Sequence, residues 1–545
     1  MKGFRLSITA IALVLLAIFL LYPLALVLDT SLRVEGSGTL TLANYAKVFS
    51  SAYYTNSVIN SLTAGVLATL CATALAVPLA FCLARVNLPG RTVLLTLASL
   101  PLGLPSFVAA YALVLLFGHA GVVTTALRGI GLPIGSIYGM PGIVTVFTLT
   151  LYPYVLMPTI AGFKAIDISV EEAARNLGGS RFHVFRTVLL PVVMPAVLAG
   201  ALLVFIETLE NFGVPAVLAE DKPFLAVDIF KLFAGEADSN PAAAGALSVL
   251  LIAGTSVVLL IQRRYLGKRR FTTNARSAPP PLPLSRGWRY AAAAYCWGMV
   301  SISLLPFAAV LMISFLKFRG PVLHWQASLG NYVELIAGSY QPLYNTLILA
   351  SVTAVVATLI GAPIGYVVAR HRSRLTGVLD MVGMVPFAVS GTVLGIGLIL
   401  AFNERPLMLT GGWLILVIAY VVRKLPFAIR SASAIVHQIE PSLEEASINL
   451  GVSPMRTFAT LTVPLMMSGL VGSVILVWIT VASELSSTIV LYTSKWSTMT
   501  VRMYQFLEGT APGTATAAAA VLILFTAVPL LLVNRRLRRQ DGTLL

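Results

Sequence analysis

Twelve stretches of mostly apolar residues run along this 545-residue chain, near 7–28, 57–83, 93–117, 142–163, 191–219, 241–262, 290–315, 343–369, 377–403, 412–434, 464–491 and 512–534. A helix that crosses a bilayer needs about 20 such residues, so each stretch is a candidate span. Only 11% of residues are charged, against roughly 25% in a soluble domain, and the mean hydropathy is +0.90. Nothing between the stretches is long enough for a separate soluble domain. This excludes a soluble enzyme, a disordered scaffold and a secreted disulfide protein. The three cysteines, Cys71, Cys82 and Cys296, each lie in an apolar run and supply no disulfide framework or thiolate metal site. The fold expected is an all-α polytopic membrane protein of about 12 transmembrane helices. The first stretch follows a short basic start (Lys2, Arg5) and has no small-residue cleavage site, so it reads as an uncleaved helix.

The formal net charge of +16 fits the same class. With both termini placed in the cytoplasm, the inner segments hold 27 of the 37 Lys and Arg and the outer segments hold 10. That is the positive-inside bias of a multi-pass protein of the bacterial inner membrane. No basic stripe interleaved with aromatics suggests nucleic acid as a partner.

The chain repeats itself. VPLAFCLAR (77–85) matches APIGYVVAR (362–370) at an offset of 285, and EEAARNLG (171–178) matches EEASINLG (444–451) at an offset of 273. About twelve extra residues therefore sit in the first half, between Pro101 and Pro153, in a Gly-rich outer loop. Each half holds six spans, so the halves enter the membrane the same way round, as parallel repeats with a substrate path at their interface. The expected domains are a first unit at 1–262, a basic and Pro-rich cytoplasmic linker at 263–289, and a second unit at 290–545.

The most informative segments are two inner loops, at about 164–191 and 435–464. Each carries a short acidic helix, a glycine stop at Gly178 or Gly451, and a second helix leading to Pro191 or Pro464. The first reads Glu172, Ala173, Ala174, three residues, Gly178, nine residues, Val188, Leu189, Leu190, Pro191. The second reads Glu445, Ala446, Ser447, three residues, Gly451, nine residues, Leu461, Thr462, Val463, Pro464. Both copies resemble the EAA loop of ABC importer permeases, E-A-A-x3-G-x9-I-x-L-P, with mild departures. The resemblance covers nearly the whole chain, as two fused permease domains. It implies that the loops, with Glu171 and Glu444 beside the motif, dock two copies of a cytoplasmic ABC ATPase. It also implies a periplasmic or lipid-anchored solute-binding protein outside. The chain has no G-x-x-x-x-G-K-[ST] phosphate loop, so it is expected to be a transport subunit rather than an enzyme. It is expected to hold no cofactor, with ATP bound on the partner subunits.

Ionisable groups within spans are costly and mark candidate pathways. These are Glu207 and Glu210 with Asn211 in the fifth stretch, Ser483 and Glu484 in the eleventh, and Arg423 and Lys424 in the tenth. At the 273 offset Glu484 falls on Asn211 and Ser483 on Glu210. The carboxylates either line the path or cap a broken helix beside Gly213 and Pro215. The two cations either line the path, or snorkel, or pair with an acidic residue such as Glu484. No catalytic or metal-ligating set is expected: His119, His183, His324, His371 and His437 are scattered. ENFGVP in one half and ELSSTIVLY in the other look like the ferric-iron uptake group, with thiamine, polyamine and phosphonate permeases as relatives. Three intramembrane acids suit a cationic solute, whereas Arg423 and Lys424 suit an anion. A secondary transporter of two six-span halves is the rival class, and it leaves both EAA loops unexplained.

Overall fold

The computed structural model describes residues 2–34, 38–132, 135–235, 239–267, 281–282, 285–320, 322–338, 340–371, 373–509 and 511–541. Most of the expected linker therefore lies outside the described residues. The described chain is almost wholly helical, apart from one antiparallel hairpin, Leu316–Arg319 with Val322–Ala327. Among the described residues nine helices are long and apolar enough to cross a membrane, or eleven if each of two sharply bent helix pairs is one span. The remaining stretch of the twelve is Trp413–Val436, a 24-residue helix. It is long enough to cross, but Arg423, Lys424 and Arg430 all lie on it.

Four of the expected spans are interrupted. The stretch at 93–117 is split into Arg91–Ser99, a 3-10 turn Leu100–Gly103 and Ser106–Phe117. Its counterpart at 377–403 turns by 108° between Arg374–Ala388 and Gly391–Phe402. Pro101, Pro105 and Pro386 lack the N–H that would carry the helix through. The stretches at 191–219 and 464–491 end as helices at Glu210 and Ala482, and the short helices Gly213–Leu218 and Thr488–Leu491 follow.

The repeat is visible element by element. The ends of Ala52–Arg85 and Gln341–Arg370 correspond at the first sequence offset, as do those of Ser106–Phe117 and Gly391–Phe402. The starts of Met140–Lys164 and Trp413–Val436 correspond at the second, smaller offset. The inserted residues thus fall between Phe117 and Met140, where the first repeat carries an extra helix, Val122–Gly129. Small residues occupy matching places on the long helices. A Cβ on Gly361 or Gly365 would come within 2.5 or 2.7 Å of the Ala428 or Ala432 methyl group, and Ala76 and Ala80 stand at the same places in the first repeat. In lipid, small residues of this kind let helix backbones pack closely.

The chain divides into two compact units that interleave the sequence halves. One comprises Met1–Ser50, Asp228–Ile252 and Ser314–Leu545; the other comprises Ser51–Val227 and Ala253–Ile313. Within the first unit the opening helices pack on second-half helices, so that a Cβ on Gly397 would lie 2.9 Å from the Pro23 carbonyl oxygen. Within the second, the Arg286–Ile313 helix packs on first-half helices, and the Tyr152 hydroxyl lies 3.3 Å from the Ser303 hydroxyl.

Candidate functional site: the EAA loops and the broken helices

Each EAA loop is a pair of short helices hung from the end of a long one. In the first repeat Asp167 caps Ile168–Asn176 by accepting from the Ser169 N–H at 3.0 Å. In the second, Pro441 opens Pro441–Asn449 at the first helical position, where its missing N–H costs nothing. Gly178 and Gly451 follow at φ of 85° and 87°, the left-handed stop that favours glycine. The second helix of each loop runs into the next span through a π-helical turn, Phe185–Leu189 or Phe458–Thr462. Each turn ends two residues before Pro191 or Pro464, and the wider turn makes room for a proline ring that an α-helix would exclude.

The two repeated sequence segments meet in space. Arg85, the last residue of the first, pairs with the buried carboxylate of Glu171. Arg370, its counterpart, donates to Glu444 from Nε at 3.3 Å and Nη2 at 3.2 Å. Glu171 and Glu444 are each 5% exposed. A carboxylate removed from water needs further donors, and the repeats supply them differently. Glu171 takes a second arginine, Arg175, one helical turn along at 2.6 Å. Glu444 accepts from the Tyr366 hydroxyl at 3.0 Å and the Thr462 hydroxyl at 3.4 Å. Tyr366 stands where the first repeat has Phe81, and Arg175 where the second has Ile448. An aromatic pair fastens each loop a second time: Phe81 with Phe185 at 5.0 Å and Tyr366 with Phe458 at 4.8 Å between ring centroids. Beside the second loop, Arg5 of the opening helix Lys2–Leu16 also donates to His371 Nδ1 at 2.9 Å. Burial and the neighbouring Arg5 guanidinium hold that imidazole down at about 4.

The groups within the spans gather at the helix breaks. Asn211 Oδ1 accepts from the Val214 N–H at 2.9 Å, and Glu484 Oε1 accepts from the Ser487 N–H at 3.3 Å. These two caps occupy the same place in the two repeats. Asn211 also donates to the Ser106 hydroxyl at 3.0 Å, tying its break to the start of the Ser106–Phe117 helix. Glu484 is instead held by Arg423 at 2.5 Å and Lys424 at 3.0 Å, and all three are mostly buried. The first repeat has Thr150 and Leu151 at the places of the two cations. An acidic cap with two cations thus replaces a neutral cap with none. Glu210 is buried, Glu207 is half-buried, and Ser483 lies at the end of Val463–Ala482.

The sequence profile of the binding-protein-dependent transport system inner membrane component family matches residues 74–272 and 361–540. The chain belongs to that family. As a whole the permease is similar to the ferric transport system permease protein FbpB of Actinobacillus pleuropneumoniae, with 28% identity over 539 residues, covering 96% of this chain and 77% of the relative. It is also 28% identical over 519 residues to a putative ferric transport permease FbpB of Haemophilus influenzae, covering 92% and 80%. The spermidine/putrescine permease PotB of the latter organism matches at 30% over 224 residues, 40% of this chain and 78% of that one. Among solved structures, a bacterial ABC transporter that imports alginate aligns at 18% identity and a TM-score of 0.43, over 50% of the permease and 97% of that chain.

Of the loop residues singled out from sequence, Glu172, Ala173, Glu445, Ala446, Gly178 and Gly451 are exposed, and Ala174 and Ser447 are half-buried. Glu171 and Glu444 face inward as anchors. Sequence reasoning missed their partners, because Arg85 and Arg370 each end a span and read only as part of the charge bias. It also missed a duplicated apolar patch. Leu177 and Leu450 are 89% and 85% exposed, and Phe182 and Met455 lie exposed a little further on, at equivalent places in both copies. The signal was present: all four sit at matching places of the repeat, on loops otherwise rich in charge.

Proposed function

We propose that this permease carries ferric iron inward across the inner membrane, driven by ATP hydrolysis on two partner subunits that dock on the EAA loops. The observation that carries this reading is the loop built twice. In each copy a buried carboxylate and an aromatic pair fasten the loop to the span that ends in Arg85 or Arg370, leaving an exposed leucine at the loop's turn. Apolar residues exposed together mark interaction surfaces. A push on such a turn would move the span through the ion pair, because the arginine is the span's own last residue. The orientation follows from the charge bias, with both termini and both loops in the cytoplasm and a solute-binding protein delivering cargo outside. In this reading the domains are 1–262 and 290–545, joined by the basic linker, and the chain itself holds no cofactor.

Iron as the cargo rests on likeness to ferric transport permeases over nearly the whole chain. Polyamine transport is the second reading, favoured by the PotB match over one repeat. Both solutes are cationic, which suits Glu207 and Glu210. The discriminating experiment measures ATP hydrolysis by the assembled complex in proteoliposomes, with binding protein loaded with ferric iron or with spermidine. Stimulation by iron and not by spermidine supports the first reading; the reverse replaces it.

A further inference from the structure

The second repeat contains a polar cavity that the transport reading does not use. It has a volume of about 260 Å³ and is walled by the start of the Gln341–Arg370 helix and the segment from Tyr492 to Gln505. Its frame is part of the repeat. Asn345, fully buried, donates to the Lys495 and Ser497 carbonyl oxygens, both at 2.9 Å. In the first repeat Asn60 donates in the same way to the Pro223 carbonyl oxygen at 3.1 Å. The Met499 N–H donates to the Thr346 hydroxyl, and the Leu225 N–H to the Ser61 hydroxyl, both at 2.9 Å. These paired contacts place Met499 opposite Leu225 and so fix the correspondence along the helices Leu225–Ala234 and Met499–Glu508.

The lining does not repeat. At that register Arg502 stands where the first repeat has Asp228, Gln505 where it has Lys231, and Ser497 where it has Pro223. The fold forms with either set, so folding alone does not require the donors. Arg502 is held in place by its own helix: its guanidinium carbon lies 4.5 Å from the Phe506 ring centroid, and Nη1 donates to Gln505 Oε1 at 3.3 Å. A guanidinium carries five N–H donors, and no carboxylate among the described residues pairs with this one. Gln505 Nε2 in turn donates to the Tyr492 hydroxyl at 3.3 Å, leaving the phenol proton available. Ser497 is 8% exposed, lines the cavity, and its hydroxyl has no partner among the described residues. A buried polar atom left unpaired is costly, and here it faces a space that a ligand can fill. The wall thus offers one fixed cation and several hydroxyl and amide donors, with no carboxylate.

We propose that this cavity binds a small oxyanion, a phosphate or carboxylate group held by Arg502 with Ser497 and Tyr492 as further donors. Planar, multi-donor recognition of this kind is what arginine provides. The site is separate from the EAA loops and from the Glu484 cluster, and the proposal stands whichever cation the permease carries. The anion can be a free ion or the phosphate of a lipid headgroup.

The test is calorimetric titration of the purified full chain with inorganic phosphate and with acetate, in lipid-free detergent and in phosphatidylcholine nanodiscs. Saturable binding is expected that weakens at least tenfold in Arg502→Gln and severalfold in Ser497→Ala. Gln505→Glu, which places a carboxylate beside Arg502, should abolish binding while the thermal midpoint stays within a few degrees of wild type. A free ion binds in both media, whereas a headgroup suppresses the titration in nanodiscs alone. No saturable binding in detergent, or binding of equal strength in Arg502→Gln, overturns the proposal. The second result would mean that the anion responds only to the general positive charge.

Discussion

Replacing Tyr366 with Phe removes one hydroxyl from the Glu444 anchor and changes little else, so its cost can be worked out from the contacts. Glu444 is 5% exposed and would keep Arg370 at 3.2 Å and Thr462 at 3.4 Å while losing the phenol at 3.0 Å. A hydrogen bond to a charged group is worth about 1.5–3 kcal/mol. Because the ion pair survives, the lower part of that range applies, and Tyr366→Phe should cost about 2 kcal/mol. The first repeat already lives with this change: Phe81 stands at the corresponding place and Arg175 supplies the missing donor. Ile448→Arg introduces that donor into the second repeat. Arg175 is 37% exposed in its own pair, so solvent screens part of the attraction and the transplanted arginine should recover about 1 kcal/mol. Alone, in the presence of Tyr366, Ile448→Arg should be close to neutral. The assay is denaturant titration of the full chain in mixed micelles, followed by tryptophan fluorescence, for the wild type, both single variants and the double variant. A coupling of about 1 kcal/mol is expected from the cycle. If Tyr366→Phe is neutral, or the double variant is no more stable than Tyr366→Phe, the anchor does not work as described.

Further outcomes follow from the same geometry. Gly178→Val and Gly451→Val should each cost about 1–2 kcal/mol from the left-handed backbone alone, since nothing lies within 4 Å of an added Cβ at either glycine. The Asn variants, which tolerate that conformation, should retain ATPase co-purification where the Val variants lose it. Glu484→Gln should destabilise the chain by about 3–5 kcal/mol, because Arg423 and Lys424 lose their buried counter-charge. The triple variant Arg423→Thr, Lys424→Leu, Glu484→Asn copies the first repeat and keeps the cap, so it should recover most of that loss in the same denaturation assay. His371 takes up a proton at about 4 in the folded chain, against the ordinary 6.5. Between those values the unfolded chain binds more protons, so stability falls as pH drops from 6.5 towards 4. The thermal midpoint of His371→Gln, measured over the same range, should show a shallower fall.

The periodic part of this architecture was readable from sequence because hydropathy and repetition are both long-range patterns. The shift in offset from 285 to 273 placed about twelve extra residues between Pro101 and Pro153, but their Gly-rich composition read as a loop and not as the helix Val122–Gly129. The loop helices, their caps and their glycine stops were readable from local residue chemistry. The pairing of Arg85 with Glu171 was not, since the two belong to well-separated segments that repeat at different offsets. An arginine ending a span and a glutamate opening a helix are each ordinary by themselves. The broken spans were hidden for a related reason. Hydropathy averages over Pro101 and Pro386 and reports one apolar stretch where the backbone turns. The Glu484 cluster was half legible: its members could be named, and their pairing was one of the open alternatives.

The proposed coupling of transport to ATP hydrolysis runs through the EAA loops. The direct measurement is ferric-iron uptake into proteoliposomes containing the permease with its ATPase and binding protein. Uptake should require ATP and both partners, and should fall sharply when Arg85→Met and Arg370→Met together detach the loops from their spans. Uptake by the chain alone under an ion gradient, without ATP or an ATPase, would contradict it.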